Sequence, residues 1–308
     1  MQYGLVVAKR SGNLGDDIQS LAARRFLPTV DEIICRDRIS DSSVTRPTKA
    51  ILNGWYLHNT RYWPPNKNID PLFISFHARP ARASNSIEWI CNKVIGKASA
   101  GSCTDSRFAA YYRRHTTIGC RDTATCNALQ SIGVPSFFSG CLTLALPPSS
   151  DHGHREGVLF VDPFSSIPGL TFRPDLWAQL PRALRSNAER MTHFHASNNL
   201  ETRLKRAGEC LDRYRNAALV ITSRLHVALP CIAFRTPVIF LNTNYRVSRL
   251  SGYEGILTSM PLDRFYAAAR SDTLLAEVPQ VNYGLVEQLA QKLETHCRNF
   301  ISSRRPLD

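Results

Sequence analysis

The feature that most constrains this chain is an apolar run between Ala217 and Leu241, which is interrupted by Arg224, His226 and Arg235. After the first alanine it reads ALVITSRLHVALPCIAFRTPVIFL. A buried strand is predicted at 219–222 and a second one at 237–241, with a short apolar helix between them. The segment is therefore a strand–helix–strand unit, with Arg224 and His226 at its first junction.

Arg224 and His226 lie at that junction, where the strand ends and the helix begins. In open α/β sheets ligands bind at this edge, and the N–H groups of a helix start favour anions. A fixed cation beside a titratable imidazole indicates an anionic ligand and proton transfer. The alternative is a core unit in which the arginine caps the helix and the histidine is structural.

Strand-like and helical patterns alternate along the whole chain, which predicts parallel sheets built from βαβ units. A Pro-rich, polar stretch near residue 150 predicts a domain boundary. The expected fold is α/β, with two Rossmann-like domains, 1–148 and 155–301, facing a cleft, and a flexible basic tail at 302–308. The strand-like runs are 3–8, 32–35, 50–53, 72–76, 117–120, 136–138, 158–161, 190–194, 219–222 and 238–241; the helical patterns are 17–26, 86–95, 106–114, 123–132 and 200–215.

Composition excludes several classes of protein. The nine cysteines are dispersed without a CxxC pair, so neither a disulfide framework nor a zinc ribbon is predicted, and no metal is expected. No run of apolar residues reaches the length of a membrane span, which favours a cytoplasmic protein. The net charge of +13 comes from scattered arginines without a nucleic-acid-binding motif, so nucleic acid is not an expected partner.

Three further motifs bear on chemistry. The loop Ser11–Asp17 follows the first strand, and Asp16 or Asp17 is expected to cap the next helix. Arg121 follows another strand and is expected to project at the sheet edge, with Asp122 capping the helix behind it. His193 and His195 end a predicted strand on one face, and one of them is expected to line the cleft.

Taken together, these segments resemble the polysaccharide pyruvyltransferase family. The resemblance is carried, in the order of the family, by Gly12-Asn13-Leu14-Gly15-Asp16, Cys120-Arg121-Asp122, Ser139-Gly140-Cys141-Leu142-Thr143-Leu144 and Ser223-Arg224-Leu225-His226. It implies a GT-B-like pair of domains and transfer of the pyruvyl group of phosphoenolpyruvate onto sugar hydroxyls as a ketal. It implies no cofactor, with phosphoenolpyruvate as co-substrate.

The resemblance assigns donor binding to Arg121 and to the pair Arg224 and His226, and acid/base chemistry to the same pair; Ser223 is also expected to bind the donor. The chemistry of the reaction makes His226 the expected general acid. It leaves Asp16, Asp17 and His195 as alternatives for removing the acceptor proton. Acceptor contacts are expected of Asn13, Trp55, His58 and His195. Where many members of the family have a glycine cluster, this chain has Asn53-Gly54-Trp55-Tyr56-Leu57-His58, and a sugar can stack on its aromatic rings.

The acceptor is expected to be a saccharide or a lipid-linked saccharide, the latter with peripheral contact at the inner face of the membrane. Two other functions are open at this stage. One is a GT-B glycosyltransferase with a nucleotide-sugar donor. The other is a basic binding module for nucleic acid or anionic membrane.

Overall fold

The computed structural model describes residues 1–9, 11–56, 60–78, 104–148, 155–164, 173–241 and 250–303. The chain divides into two compact units by its contacts. The first comprises Met1–Lys9, Ala23–Cys141 and Lys292–Asp308; the second comprises Arg10–Ala22 and Leu142–Gln291. Compared with the predicted domains, residues 10–22 group with the later part of the chain and residues 292–308 with the earlier part. The predicted helix at 86–95 and most of the predicted tail lie outside the described residues.

The first unit is built on a six-stranded parallel sheet in the order β2-β1-β3-β4-β5-β6. Its strands are β1 (Gln2–Val7), β2 (Glu32–Cys35), β3 (Thr48–Tyr56), β4 (Ile69–Ala78), β5 (Ile118–Cys120) and β6 (Ser136–Phe138). Apolar side chains of the strands and of the segments that pack on them form a core with many aromatic rings, among them Trp63, Phe73, Phe76 and Tyr112. The helices are α1 (Leu14–Arg24), α2 (Ala109–Tyr112) and α3 (Thr123–Gln130); α1 begins in a segment that belongs to the second unit.

The second unit is built on a five-stranded parallel sheet in the order β11-β10-β9-β7-β8. Its strands are β7 (Glu156–Val161), β8 (Ala188–Met191), β9 (Ala217–Thr222), β10 (Val238–Leu241) and β11 (Ser259–Met260). Its described helices are α4 (Pro174–Ala178), α5 (Arg182–Asn187), α6 (Leu200–Asn216), α7 (Leu225–Ala233) and α8 (Leu262–Arg270), and α9 (Tyr283–Ser302) begins in this unit and ends in the first, to which the residues from Lys292 onward belong. Two parallel sheets with helical connections confirm the predicted α/β class with two Rossmann-like units.

Local capping explains where the helices begin. The sequence predicts Asn198 or Asn199 as the cap of α6, and Asn199 is the one that accepts a hydrogen bond, from the N–H of Thr202. Asp122 accepts one from the N–H of Thr125, which confirms it as the cap of α3. The predicted start of α1 was wrong. That helix begins at Leu14, because the side chain of Asn13 accepts from the N–H of Gly15 and begins the turn earlier. Asp16 and Asp17 therefore lie in the first turn and are not the caps.

A buried lysine closes the C-terminal end of α9. Lys49 lies in β3 and is completely buried. Its Nζ donates to the main-chain oxygens of Phe300 and Ser303 and, at 2.9 Å, to Oγ of Ser303. The last carbonyls of a helix have no partner within the helix and form the negative end of its dipole. The ammonium group of Lys49 therefore donates hydrogen bonds to these carbonyls and places a positive charge at the negative end of the dipole.

Replacing Lys49 with methionine keeps most of the side-chain volume and removes the donor. We expect Lys49→Met to lower the free energy of unfolding by about 1–3 kcal/mol, because partly buried oxygens at the end of α9 lose a charged donor. Urea unfolding measures this loss. Lys67→Met, at an exposed position, is the control. Equal urea midpoints for the two variants would contradict this role for Lys49.

Candidate functional site

The candidate site of the second unit lies where the strand order of its sheet reverses. The chain moves from β7 to β8 on one side and places β9 on the other side of β7. Val161 and Thr222 are register partners at the ends of the two strands, so the segments that follow them leave the same edge together. In open α/β sheets this switch point is the usual ligand site. Asp162 follows β7 there, and Ser223 and Arg224 follow β9.

Asp162 connects the segments at this edge. One carboxylate oxygen, Oδ2, accepts from Nε of Arg224 and from the main-chain N–H of His193, each at 3.0 Å. Its main-chain oxygen accepts from the hydroxyl of Ser223 at 2.7 Å. Burial raises the pKa of this carboxyl above its usual value, and the charge of Arg224 opposes that rise without overcoming it. Asp162 also has a φ of 43°, which turns the chain sharply at the end of β7.

Arg224 is the N-cap residue of α7, and its guanidinium is held from one side by Asp162. Its N–H donates to the hydroxyl of Thr222 at 2.9 Å, and its carbonyl accepts from the N–H groups of Val227 and Ala228. The side chain is 7% exposed. A cation of fixed direction at the start of a helix is a suitable anion-binding arrangement, because the helix N-terminus adds positive potential.

His226 follows in the first turn with a non-helical backbone, φ −83° and ψ 16°. It packs closely against Gly15 of α1. A Cβ added at Gly15 would lie 3.1 Å from Nδ1 and 3.2 Å from Cβ of His226, which is tighter than most real contacts. The glycine of the amino-terminal motif is therefore what allows the start of α1 to approach the imidazole.

The amino-terminal loop is fixed to the segment that carries the two other histidines. The N–H of Leu14 donates to the oxygen of His193 at 2.9 Å, and the N–H of His195 donates to the oxygen of Gly12 at 2.8 Å. Asn13 and Phe194 form an antiparallel bridge between these bonds. Three motifs that are distant in sequence (11–17, 193–195 and 223–226) thus meet in one unit. We call Asn13, Gly15, Asp162, Arg224 and His226 the switch-point site.

His193 and His195 are both buried, and both lie beyond the strand that was predicted to carry them. That strand, β8, ends at Met191, so the prediction of a strand over 190–194 was wrong at its end. Burial lowers the pKa of His193 to about 3, helped by the charge of Arg224, and its Nε2 bonds to the hydroxyl of Tyr214 at 2.5 Å. Burial also lowers the pKa of His195, whose Nδ1 accepts from the N–H of Ser197. Both rings are neutral near neutral pH.

The two aspartates of the first turn of α1 differ in their contacts. Asp16 accepts from the hydroxyl of Ser11 at 2.5 Å. Asp17 forms a fully buried pair with Arg203, in which Nη2 donates to Oδ1 at 2.6 Å and Nε to Oδ2 at 3.2 Å. The geometry of Asp17 favours a structural role, because both of its oxygens accept from one guanidinium. The catalytic roles assigned to the two aspartates stay predictions.

Arg121 lies in the first unit, directly after β5 as predicted, and its side chain is completely buried. Asp122 beside it forms a 2.5 Å hydrogen bond with Nδ1 of His77, at the end of β4. Trp55, at the end of β3, is half-buried with its ring centroid 6.2 Å from that of His77.

Several assigned roles stay predictions. These are the donor contacts of Arg121 and Ser223 and the acceptor contacts of Asn13, Trp55 and His195. His58 lies outside the described residues. Within the part of the chain that the structure describes, no group of three or more His, Cys, Asp or Glu side chains is arranged to hold a metal.

Sequence reasoning did not single out Asp162 or His77. Each is a polar residue at the end of an apolar strand, in VLFVD and FISFH, and this position is the feature of the sequence that could have indicated them. Neither residue belongs to a recognisable local motif.

Comparison with known proteins gives a family. The family model for polysaccharide pyruvyl transferase matches residues 13–245, which is most of the chain and includes every residue of the switch-point site. The chain belongs to this family. It is therefore a transferase, and the family implies a saccharide acceptor.

Other comparisons add less. A solved structure of a variant of the wall teichoic acid polymerase TagF is similar at 10% identity with a TM-score of 0.43, over 98% of this chain and 84% of that one. Comparison with the curated proteins gives no match. Among the described helices, none combines the length and the hydrophobicity that a membrane span requires.

The contact between Gly15 and His226 can be tested with a matched pair of glycine variants. We expect Gly15→Ala to lower transferase activity, because the new methyl group displaces His226 or moves the start of α1. Gly208→Ala is the control, since Gly208 lies in α6 with no atom near the added Cβ. That variant is expected to gain about 0.5–1 kcal/mol of stability with unchanged activity. Equal activity in the two variants would show that the close contact has no function.

The buried His193 predicts a loss of stability in acid. Above its ordinary pKa of about 6.5 the ring is neutral in both the folded and the unfolded chain. Below that value the ring binds a proton in the unfolded chain, whereas in the folded chain it stays neutral down to a pH of about 3. This group should therefore lower the free energy of unfolding by about 1.4 kcal/mol per pH unit as the pH falls. Urea unfolding should show that the free energy of unfolding falls less in acid for His193→Gln than for the wild-type protein. An equal fall in the two proteins would contradict the low pKa of His193.

Proposed function

We propose that this transferase moves the pyruvyl group of phosphoenolpyruvate onto hydroxyl groups of a saccharide, forming a ketal. The observation that carries the proposal is the switch-point site. It places Arg224, fixed by Asp162, at the start of α7, and it holds His226 two residues further on against Gly15. Family membership supports it, because the match includes these residues.

Donor recognition requires positive groups of fixed direction. Phosphoenolpyruvate carries a carboxylate and a phosphate, and both are recognised by guanidinium groups and helix N-termini. Nε of Arg224 is committed to Asp162, so the side chain has one orientation. We assign its Nη groups and the start of α7 to the donor. Asp162 keeps the buried cation paired while no anion is bound.

The chemistry assigned to His226 is proton transfer to carbon. The imidazolium gives its proton to C3 of the donor, and C2 becomes electrophilic. A sugar oxygen bonds to C2 and loses its proton to a base. The bond from C2 to the phosphate oxygen then breaks, and phosphate leaves. A second hydroxyl closes the ketal, and its proton returns the imidazole to its starting state. Proton transfer by such a group contributes about 10²–10⁴-fold to the rate.

Variants of the two basic residues test this function. With phosphoenolpyruvate and a panel of saccharides that carry neighbouring hydroxyls, the wild-type protein should release phosphate and form a pyruvylated saccharide that mass spectrometry detects. We expect His226→Asn to lower the rate about 10²–10⁴-fold while donor binding is kept. We expect Arg224→Lys to weaken donor binding, since an ammonium group cannot reproduce a bidentate contact.

Arg182→Ala, at an exposed position of the same unit, is the control. Donor binding is read from thermal unfolding, because a ligand at 100 times its dissociation constant adds about 2.7 kcal/mol of stability. Stabilisation by nucleotide-sugars but not by phosphoenolpyruvate would contradict the proposed donor. So would full activity in the His226→Asn variant.

A further inference from the structure

A cavity of about 180 Å³ lies beyond the carboxyl ends of β7 and β8, next to the switch-point site. The residues that line it come from these two strands, from the segment after β7 and from α4, and all of them belong to the second unit. We call it the β7–β8 cavity; its lining includes Asp162, Phe164, Trp177, Arg190, Met191 and Thr192.

Asp162 is shared by the β7–β8 cavity and the switch-point site. In the order of the sheet β7 lies between β8 and β9, and Val161 is the register partner of both Met191 and Thr222. Neighbouring strands are about 4.8 Å apart, so the end of β8 is about 10 Å from the end of β9, which precedes Arg224. A group bound in the cavity therefore lies next to the donor site that we assign to Arg224.

One part of the cavity wall is aromatic. The rings of Phe160 and Trp177 meet edge to face with their centroids 5.0 Å apart, and Phe164 stacks on Tyr266. The guanidinium of Arg190 lies over the ring of Trp177, 5.1 Å from its centroid. Small-molecule sites are mostly apolar and aromatic, with a few polar groups that fix the orientation of the ligand. An aromatic wall suits the C–H face of a sugar ring, because aromatic rings carry negative partial charge on their faces.

The other part of the wall is polar. Oδ2 of Asp162 accepts from Arg224 and from the N–H of His193, whereas Oδ1 is buried and accepts no hydrogen bond from any described residue. The hydroxyl of Thr192 stabilises the charge of the same carboxylate and accepts from the N–H of Phe194 at 3.0 Å. A buried carboxylate oxygen without a donor is unfavourable. A ligand that brings a hydroxyl group to this wall removes that cost.

The charge and the size of the cavity favour a neutral sugar over the other ligands of a transferase. Asp162 and Arg190 are the charged residues of the lining, and their charges are opposite. A doubly negative ligand such as phosphoenolpyruvate gains little there, because it would lie against a carboxylate. The volume of 180 Å³ is below the range of about 300–1,000 Å³ found for sites of drug-sized molecules. A single sugar unit therefore suits the cavity better than a nucleotide-sugar.

We propose that the β7–β8 cavity binds one sugar unit of the acceptor, and that Asp162 and Thr192 hold hydroxyl groups of this unit beside the donor. This role rests on the proposed pyruvyl transfer. The C–H face of the sugar packs on the aromatic wall, and one of its hydroxyl groups donates to Oδ1 of Asp162. Asp162 then positions both substrates, because Oδ2 fixes the direction of Arg224 and Oδ1 fixes the acceptor.

Two variants of the lining test this proposal without changing Asp162. Met191→Phe adds a ring that fills part of the cavity, and Thr192→Val removes a hydroxyl with little change of shape. With methyl hexosides as acceptors, we expect Met191→Phe to raise KM for the acceptor about 10-fold or more. We expect Thr192→Val to raise it about 2–10-fold. In both variants the stabilisation by phosphoenolpyruvate in thermal unfolding should equal that of the wild-type protein.

Matched controls separate binding from folding. Leu275→Phe adds the same ring at a position of the second unit that is 63% exposed, and it should leave KM unchanged. Thr192→Ser keeps the hydroxyl and should keep the KM of the wild-type protein. If Thr192→Ser and Thr192→Val have the same KM, the hydroxyl of Thr192 does not hold the acceptor.

Direct binding of the methyl hexosides, measured by saturation-transfer NMR, distinguishes the two proposals. If the wild-type protein forms product and Met191→Phe keeps its KM, only the assignment of the cavity is overturned. If the wild-type protein forms no product but binds hexosides, and Met191→Phe does not bind them, the proposed function fails and the cavity is a sugar site. Neither product nor hexoside binding contradicts both proposals. Binding of nucleotide-sugars in place of hexosides, lost in Met191→Phe, would also overturn the assignment.

Discussion

The ion pair between Asp162 and Arg224 is the interaction on which the site of the second unit depends. Both side chains are buried, so neither charge is acceptable there without the other. Removing one partner of such a pair costs about 3–5 kcal/mol, because the other charge is left buried and uncompensated. The same carboxylate holds the N–H of His193, and its main-chain oxygen holds Ser223. One residue therefore fixes the ends of β7 and β9 and the segment that supports the amino-terminal loop.

A rigid arrangement of this kind is what transfer of an anionic group requires. The direction of Arg224 is determined before a ligand arrives, so little reorganisation is needed when charge develops in the reaction. His226 is constrained in the same way by Gly15, where a larger residue would press on the imidazole. In both cases the structure uses tight packing within a single unit to set the position of a functional group.

The sequence predicted the strands and helices of this fold better than it predicted the contacts between residues that are distant along the chain. Apolar runs gave the strands, and polar residues before helices gave the caps at Asn199 and Asp122, because both depend on local geometry. Asp162 was missed because its role appears only when β7 is placed beside β9, and Arg224 is 62 residues away along the chain. Arg203 was not expected on the buried face of α6, since its partner Asp17 lies 186 residues earlier. The hydrogen bond between His77 and Asp122 could not be predicted either, because it depends on β4 lying beside β5.

The central claim is that His226 protonates the methylene carbon of phosphoenolpyruvate while the pyruvyl group is transferred. Mass spectrometry of the product formed in deuterated water tests it most directly, because the proton on His226 exchanges with solvent before each turnover. The claim predicts a pyruvylated saccharide whose new methyl group carries a single solvent deuterium. A product that retains the unsaturated group of the donor, or one that lacks solvent deuterium in its methyl group, would contradict it.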